Sequence, residues 1–285
     1  VFKTKQRQMK LAITGPTSGI GAVAFTQLTP YFNEIYLIAR NESKAKKLIE
    51  TLSIKDQKKI TFIYCDLTDM ESVVAAAKSI QAKTGSLDVL INNAGGIFQN
   101  KEITKDGFEM SLVVNHLGHF LLTHHLMPLL LSSQSSKVIS VSSEAHRAAK
   151  VDFDDLNYGH KKFSSFISYS NVKLFNILFT KSLSEKFWEK GLNAYALHPG
   201  VVKTNFGKET SGIFGFFWKL ASPFMITAQE GAKTTIFLAK TNIDSLKNGY
   251  YFKKNKPVKP SSEASSKKMR ERLWIESERM LEKWL

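Results

Sequence analysis

At 285 residues, 43% of them apolar and 23% charged, the chain is long enough to bury a large core, and its composition excludes a fibre or a disordered segment. Forty Lys and Arg against 25 Asp and Glu give a net charge of +15, an excess that attracts phosphate cofactors, anionic lipid or nucleic acid. Much of it sits in "KTKQRQMK" (Lys3 to Lys10), "KKNKPVK" (Lys253 to Lys259) and "KKMRER" (Lys267 to Arg272), with no nucleic-acid-binding motif beside it, so nucleic acid ranks last among the partners.

The N-terminus lacks the apolar segment of a signal peptide, and the chain opens on Val1 rather than Met, which leaves room for an upstream anchor or targeting segment. Short β-branched or aromatic runs then follow one another: "LAIT" from Leu11, "IYLIA" from Ile35, "ITFIYC" from Ile60, "DVLI" from Asp88, "KVISV" from Lys137 and "AYAL" from Ala194. Between them lie helical patterns, such as Ala45, Leu48, Ile49 and Leu52, or Met70, Val73, Val74 and Ala77. Strands with little alternation suit a parallel sheet covered on both faces. The expected fold is α/β, a single doubly wound parallel sheet of the Rossmann type, forming one domain over residues 1–285. Met269, Leu273, Met280 and Trp284 fall on one face of a C-terminal helix packed on that domain. The single cysteine, Cys65, is expected in the core.

Ligands of such a sheet bind beyond the carboxyl ends of its strands. Directly after the first strand comes "TGPTSGIG", with Gly15, Gly19 and Gly21 leading into a helix. Missing side chains let the backbone approach a pyrophosphate, and free N–H groups at the helix start stabilise its charge. The second strand ends in "IARN", where Arg40 offers paired bonds to a 2′-phosphate and Ala39 no carboxylate to repel it. This reading favours NADP(H).

Three Tyr-x-x-x-Lys pairs occur, at Tyr158, Tyr169 and Tyr250. Tyr169 opens the apolar run Val172, Leu174, Phe175, Ile177, Leu178 and Phe179, so a buried helix can hold Tyr169 and Lys173 one turn apart, about 6 Å along its axis. A unit charge about 5 Å from the phenol is worth roughly 3 kcal/mol at an effective dielectric near 20, which is expected to lower the tyrosine pKa by about two units. Tyr158 is followed by Gly159 in a segment that does not favour a helix, and Tyr250 with Lys254 belongs to a late strand and its basic exit. Ser142 and Ser143, adjacent at a strand end, point to opposite faces, so only one can meet a substrate.

With "TGPTSGIG", "CDL" (Cys65 to Leu67), "NNAG" (Asn92 to Gly95), Asn115 in "VVNHLGHF", Ser143 in "ISVSS", Tyr169 with Lys173, and "HPGVVKT" (His198 to Thr204), the sequence resembles the short-chain dehydrogenase/reductase family. Through "VNHLGHFLLT", "ALHPGVVKT", "WKLASPF" and "TAQEGAKT" it looks most like the retinol dehydrogenase branch. The resemblance implies hydride transfer between a nicotinamide and a carbonyl or alcohol. In it Tyr169 is the acid/base, Lys173 holds the nicotinamide ribose, Ser143 binds the substrate oxygen and Asn115 completes a proton relay through water. Gly15, Thr17, Ser18, Gly19, Ile20 and Gly21 form the phosphate loop. Asp66 and Leu67 lie near the adenine, Asn93, Ala94 and Gly95 beside the cofactor, and Pro199, Gly200, Val202 and Thr204 near the carboxamide and phosphates. Pro16 departs from the family pattern and removes a backbone donor from the loop.

No metal is expected. His116, His119, His124 and His125 have no carboxylate or cysteine at matching positions and read as packing and surface residues. A catalytically weak, nucleotide-bound scaffold of the same fold is the alternative function, and the complete Asn115, Ser143, Tyr169 and Lys173 set argues against it. The substrate is expected to be a lipophilic small molecule, and the protein cytoplasmic or peripheral on a membrane. No apolar run reaches the roughly 20 residues of a spanning helix.

A substrate lid is expected over residues 205–226, where "GIFGFFWKLASPFMI" (Gly212 to Ile226) is unusually apolar for a loop. Phe214, Phe216, Phe217 and Trp218 are expected to line a greasy entrance and dip into a membrane surface, with Lys219 and the basic tail meeting anionic headgroups. The native chain should therefore sediment with anionic liposomes, and a triple Ser variant at Phe216, Phe217 and Trp218 should not. Failure of the native chain to bind them removes the membrane contact.

Overall fold

The computed structural model describes residues 8–202 and 225–285. Its strands are β1 (Lys10–Thr14), β2 (Glu34–Ala39), β3 (Ile60–Tyr64), β4 (Val89–Asn92), β5 (Ser136–Val141), β6 (Leu192–His198), β7 (Tyr251–Lys253) and β8 (Lys256–Val258). The helices are α1 (Gly19–Leu28), α2 (Glu42–Glu50), the short α3 (Ile54–Gln57), α4 (Met70–Gln81), the single turn α5 (Met110–Leu112), α6 (Gly118–Leu131), α7 (Ser165–Phe187), α8 (Ala228–Lys240) and α9 (Lys267–Leu281).

One sheet takes all eight strands in the order β3-β2-β1-β4-β5-β6-β7-β8, parallel except for the last pair. The six expected strands are present within two residues at either end. The late strand expected at Tyr250 is β7, and missing from the expectation was its antiparallel partner β8, too short for a periodic signal and reached through a turn with Lys254 and Asn255 at positive φ. Tyr250 and Lys254 therefore flank β7 rather than lie on it.

Alternate side chains of each strand enter different cores, because successive residues of a strand face opposite ways. Ala12, Tyr36 and Leu90 pack with α4, α6, α7 and α9, whereas Leu11, Ile13, Ile35 and Ile91 pack with α1, α2 and α8. In α9, Leu273 and Leu281 are buried, while Met269 and Met280 pack on the core from its edge, joined by Trp284 just beyond the helix. Cys65 is buried, which pushes its thiol up to about 12.

At the amino ends of the strands, the buried Lys137 of β5 donates 3.0 Å hydrogen bonds to the carbonyls of Leu238 and Ala239 and a further one to Thr241. These are the free carbonyls at the end of α8, where a cation also complements the helix dipole. Bonds from a charged donor contribute about 1.5–3 kcal/mol each, which offsets the desolvation of the ammonium.

The order of β1 to β4 reverses direction across β1, which opens a crevice between the carboxyl ends of β1 and β4. The glycine loop lies there.

Candidate active site

Gly15 and Gly19 adopt φ of +63° and +53°, conformations that an L side chain resists. A Cβ on Gly21 would stand 2.4 Å from the Gly15 carbonyl oxygen, so this turn closes only with glycine. Ser18 makes no side-chain cap to α1, although Asn41, Asp69, Ser164, Thr227 and Ser266 cap α2, α4, α7, α8 and α9 in turn. The first amides of α1, including those of Gly19, Ile20 and Gly21, thus carry no side-chain acceptor. Such a cradle fits the pyrophosphate of a dinucleotide.

Asn93 fixes that loop, donating from Nδ2 to the carbonyls of Thr14 (2.9 Å) and Gly15 (3.1 Å). Thr14 Oγ1 accepts the amides of Asn93 and Ala94 at 2.9 and 3.0 Å and meets His119 Nε2 at 2.9 Å. Burial holds His119 neutral, with its pKa down to about 4, and its Nδ1 faces the Asn115 carbonyl at 3.4 Å. Nothing in the local sequence marked Thr14 as this clamp.

At the end of β2, the exposed Arg40 guanidinium lies 3.6 Å from Asp66 Oδ2, and Thr68 donates to Asp66 Oδ1. Leu67 turns its side chain into the core, and a Cβ on Gly118 of α6 would stand 3.1 Å from both its Cδ2 and its carbonyl oxygen. On the far side of the loop, Gly200 sits at φ +102° after Pro199, and Val202 bridges Ile226. A Cβ on Gly231 of α8 would touch both Val202 and Ile20, so the segment after β6 closes against the start of α1. Thr204 and lid residues 205–224 lie outside the described residues.

Asn115 sits fully buried in a π-helical turn, Val113–Leu117, that joins α5 to α6. Its Nδ2 donates to the carbonyls of Ser111 (2.9 Å) and Gly96 (3.1 Å), and its Oδ1 accepts the Gly96 amide. The side chain is thus engaged with backbone. A Cβ at Gly95 would stand 2.6 Å from Asn115 Oδ1 and 3.3 Å from Lys173 Nζ, so the β4 loop runs directly against both residues.

Tyr169 and Lys173 lie on one face of α7, with Nζ 5.4 Å from the phenol ring centroid. Nζ donates to the Val141 carbonyl at 3.1 Å, and Asn176 donates to the same oxygen. Here one sequence expectation fails. Burial pushes the Tyr169 phenol up to about 12, and the Ser143 hydroxyl hydrogen bond lowers it only in part. Lys173 is itself desolvated and drawn down to about 8. At this depth the loss of water outweighs the attraction of the nearby ammonium.

The adjacent serines divide as alternation requires. Ser143 faces Tyr169 while its Oγ also accepts the Ala145 amide at 3.2 Å, so the loop bond and the site contact coexist. Ser142 is buried on the other side and donates to the Lys173 carbonyl at 2.6 Å.

Tyr158 stands at φ 53° outside any helix, its phenol accepting from Asn171 at 3.2 Å. Among the described residues no cluster of His, Cys, Asp or Glu is arranged to hold a metal. His116 packs among aromatic rings and bonds Ser277 of α9, and His125 bonds the Trp284 carbonyl.

A family model described as short chain dehydrogenase matches residues 10–212. The chain belongs to that family. Its affinity within this oxidoreductase family is with the retinol dehydrogenase-like branch. Retinol dehydrogenase 12 of Homo sapiens is 36% identical over 265 residues, covering 93% of this chain and 83% of the relative. Retinol dehydrogenase 13 of Homo sapiens is 35% identical over 280 residues, covering 94% and 83%. Among solved structures, an uncharacterised protein from Mycobacterium Paratuberculosis has a TM-score of 0.79 at 30% identity, over 96% of this chain and 94% of that one. NADPH-bound carbonyl reductase from chicken fatty liver has a TM-score of 0.67 at 22% identity, over 90% and 100%, a likeness of fold.

The two serines should separate experimentally. Ser143→Ala should lower turnover by about a hundredfold or more with little change in urea stability, whereas Ser142→Ala should cost about 1 kcal/mol of stability through its lost buried bond. A reversed pattern would exchange their roles.

Proposed function

We propose that the protein transfers hydride between NADP(H) and the carbonyl or alcohol carbon of a lipophilic substrate, such as a retinoid or another apolar aldehyde or ketone. The observation that carries this reading is the convergence of Ser143, Tyr169 and Lys173 beside the Gly95 backbone at the carboxyl end of the sheet. When bound, the nicotinamide supplies or accepts the hydride. Ser143 and Tyr169 then hold the substrate oxygen, and Tyr169 moves a proton to or from it. The Tyr169 phenol holds its proton at neutral pH, the form that donates to a carbonyl oxygen during reduction, while its raised pKa opposes that donation and leaves the Lys173 cation to offset it. Lys173, cationic below about pH 8, holds the ribose and favours the phenolate left behind. Asn115 orders Gly95 and Gly96 at this point and lies on the path of the proton relay implied by the family resemblance.

Thr17, Ser18 and the first amides of α1 receive the pyrophosphate, with Gly15 and Gly21 giving the backbone its close approach. Asp66 and Leu67 border the adenine, Asn93, Ala94 and Gly95 the ribose side, and Pro199, Gly200, Val202 and Thr204 the carboxamide. Arg40 receives the 2′-phosphate, a stronger partner than its exposed contact with Asp66, since surface ion pairs contribute little. The lipophilic substrate is supported by the retinol dehydrogenase relatives and by the apolar Gly212 to Ile226 segment, which also supports peripheral contact with a membrane. No helix among the described residues is long and apolar enough to cross one.

Purified protein should reduce retinal or a long-chain aldehyde with NADPH, and Tyr169→Phe should lose nearly all turnover while still binding NADPH. Tyr158→Phe should matter far less, and the opposite order would sink the choice of Tyr169. In titrations the unaltered protein should prefer NADPH to NADH, and Arg40→Asp should erase or reverse that preference. Equal affinity of the unaltered protein for both cofactors rules out the role of Arg40.

A further inference from the structure

We propose that Glu109 is a positioning residue for this reaction, a buried carboxylate that locks the turn carrying Asn115 to the helix carrying Tyr169 and Lys173; the inference rests on the functional reading above. Glu109 is fully buried. Its Oε1 accepts the Ser111 amide at 2.8 Å and its Oε2 the Leu112 amide at 2.9 Å, which caps α5. The same Oε2 accepts the hydroxyl of Ser168 at 3.1 Å, and Ser168 immediately precedes Tyr169 on α7. From the other end, the Ser111 carbonyl accepts from Asn115 Nδ2 at 2.9 Å. One side chain thus joins two catalytic elements separated by about sixty residues of sequence, through the contacts Asn115 to Ser111 to Glu109 to Ser168.

A cap alone does not require this residue. Ser, Thr, Asp and Asn are the preferred caps and cap α2, α4, α7, α8 and α9. Glu reaches farther, to a second helix. No ion pair to Glu109 occurs among the described residues, so its charge is balanced by the two amides and the hydroxyl, while burial raises its pKa. A buried carboxylate kept without a cation costs desolvation, which three converging donors offset only in this geometry. The Glu109 amide is itself held by Asn157 Oδ1 at 2.9 Å, next to Tyr158, whose phenol also meets Ser168. Tyr158 therefore belongs to the brace behind the site rather than to the site.

Ser168→Ala cuts the link without touching the cap, and Glu109→Gln removes the charge and sets an NH2 against one of the donors, so it disturbs link and cap together. Each should lower kcat about tenfold, as a small displacement of an acid/base does, with KM and NADPH affinity changed by no more than about twofold. Ser168→Thr should restore kcat, because it returns the hydroxyl. The double variant should be no worse than Glu109→Gln alone, since that change already breaks the link that Ser168→Ala cuts. In protein labelled with 13Cζ tyrosine, the Tyr169 resonance, identified by its loss in Tyr169→Phe, should shift in Ser168→Ala. Unchanged kcat in Ser168→Ala, additive losses, or an unmoved Tyr169 resonance would each overturn the brace. Absence of turnover by the unaltered protein would instead count against the functional reading, and the resonance would still judge the brace.

Discussion

Everything at this site depends on keeping an ammonium out of water. Lys173 is buried beneath Tyr169 and spends a hydrogen bond on the Val141 carbonyl, the last residue of β5. Its position is therefore tied to the sheet as well as to its own helix. Ser142 strengthens the tie by bonding the Lys173 carbonyl, and Asn176 shares the Val141 oxygen one turn later. Two residues of α7, Lys173 and Asn176, and the end of β5 form one hydrogen-bonded unit, on which the Tyr169 phenol is mounted.

The same burial sets the electrostatics. A cation near a phenol favours phenolate, but both groups lie where water is excluded, and each charged form pays the desolvation. Tyr169 moves up and Lys173 moves down. The result is a phenol that stays protonated at neutral pH beside an ammonium whose pKa is drawn down to about 8. The Ser143 hydroxyl, whose Oγ also accepts the Ala145 amide, tempers the shift through its hydrogen bond with the phenol.

Opposite this unit stands the β4 loop. Asn93 and Ala94 are held by Thr14 from β1, and Gly96 by Asn115 from the π-helical turn. Gly95 between them has no room for a side chain. The crevice is thus lined by backbone on one side and by Tyr169, Lys173 and Ser143 on the other. In the proposed function such a wall leaves room for a flat cofactor ring close to the Tyr169 phenol, with the uncapped start of α1 available for its phosphates.

Sequence alone determined six of the seven parallel strands, the glycine turn and the buried helix that carries Tyr169 and Lys173, because each is written in a local period or a backbone requirement. Apolar runs of four to six residues define buried strands, glycines define positive φ, and an apolar run after Tyr169 defines a buried helix. Only the tertiary structure decided what desolvation did to the Tyr169 phenol, since a Coulomb estimate between two residues contains no information about the water removed by the rest of the chain. It also decided which partners Thr14, Ser142 and Glu109 would find. Their bonds join residues far apart in the chain, and a hydroxyl or carboxylate carries no local mark of the distant group that will satisfy it once both are buried.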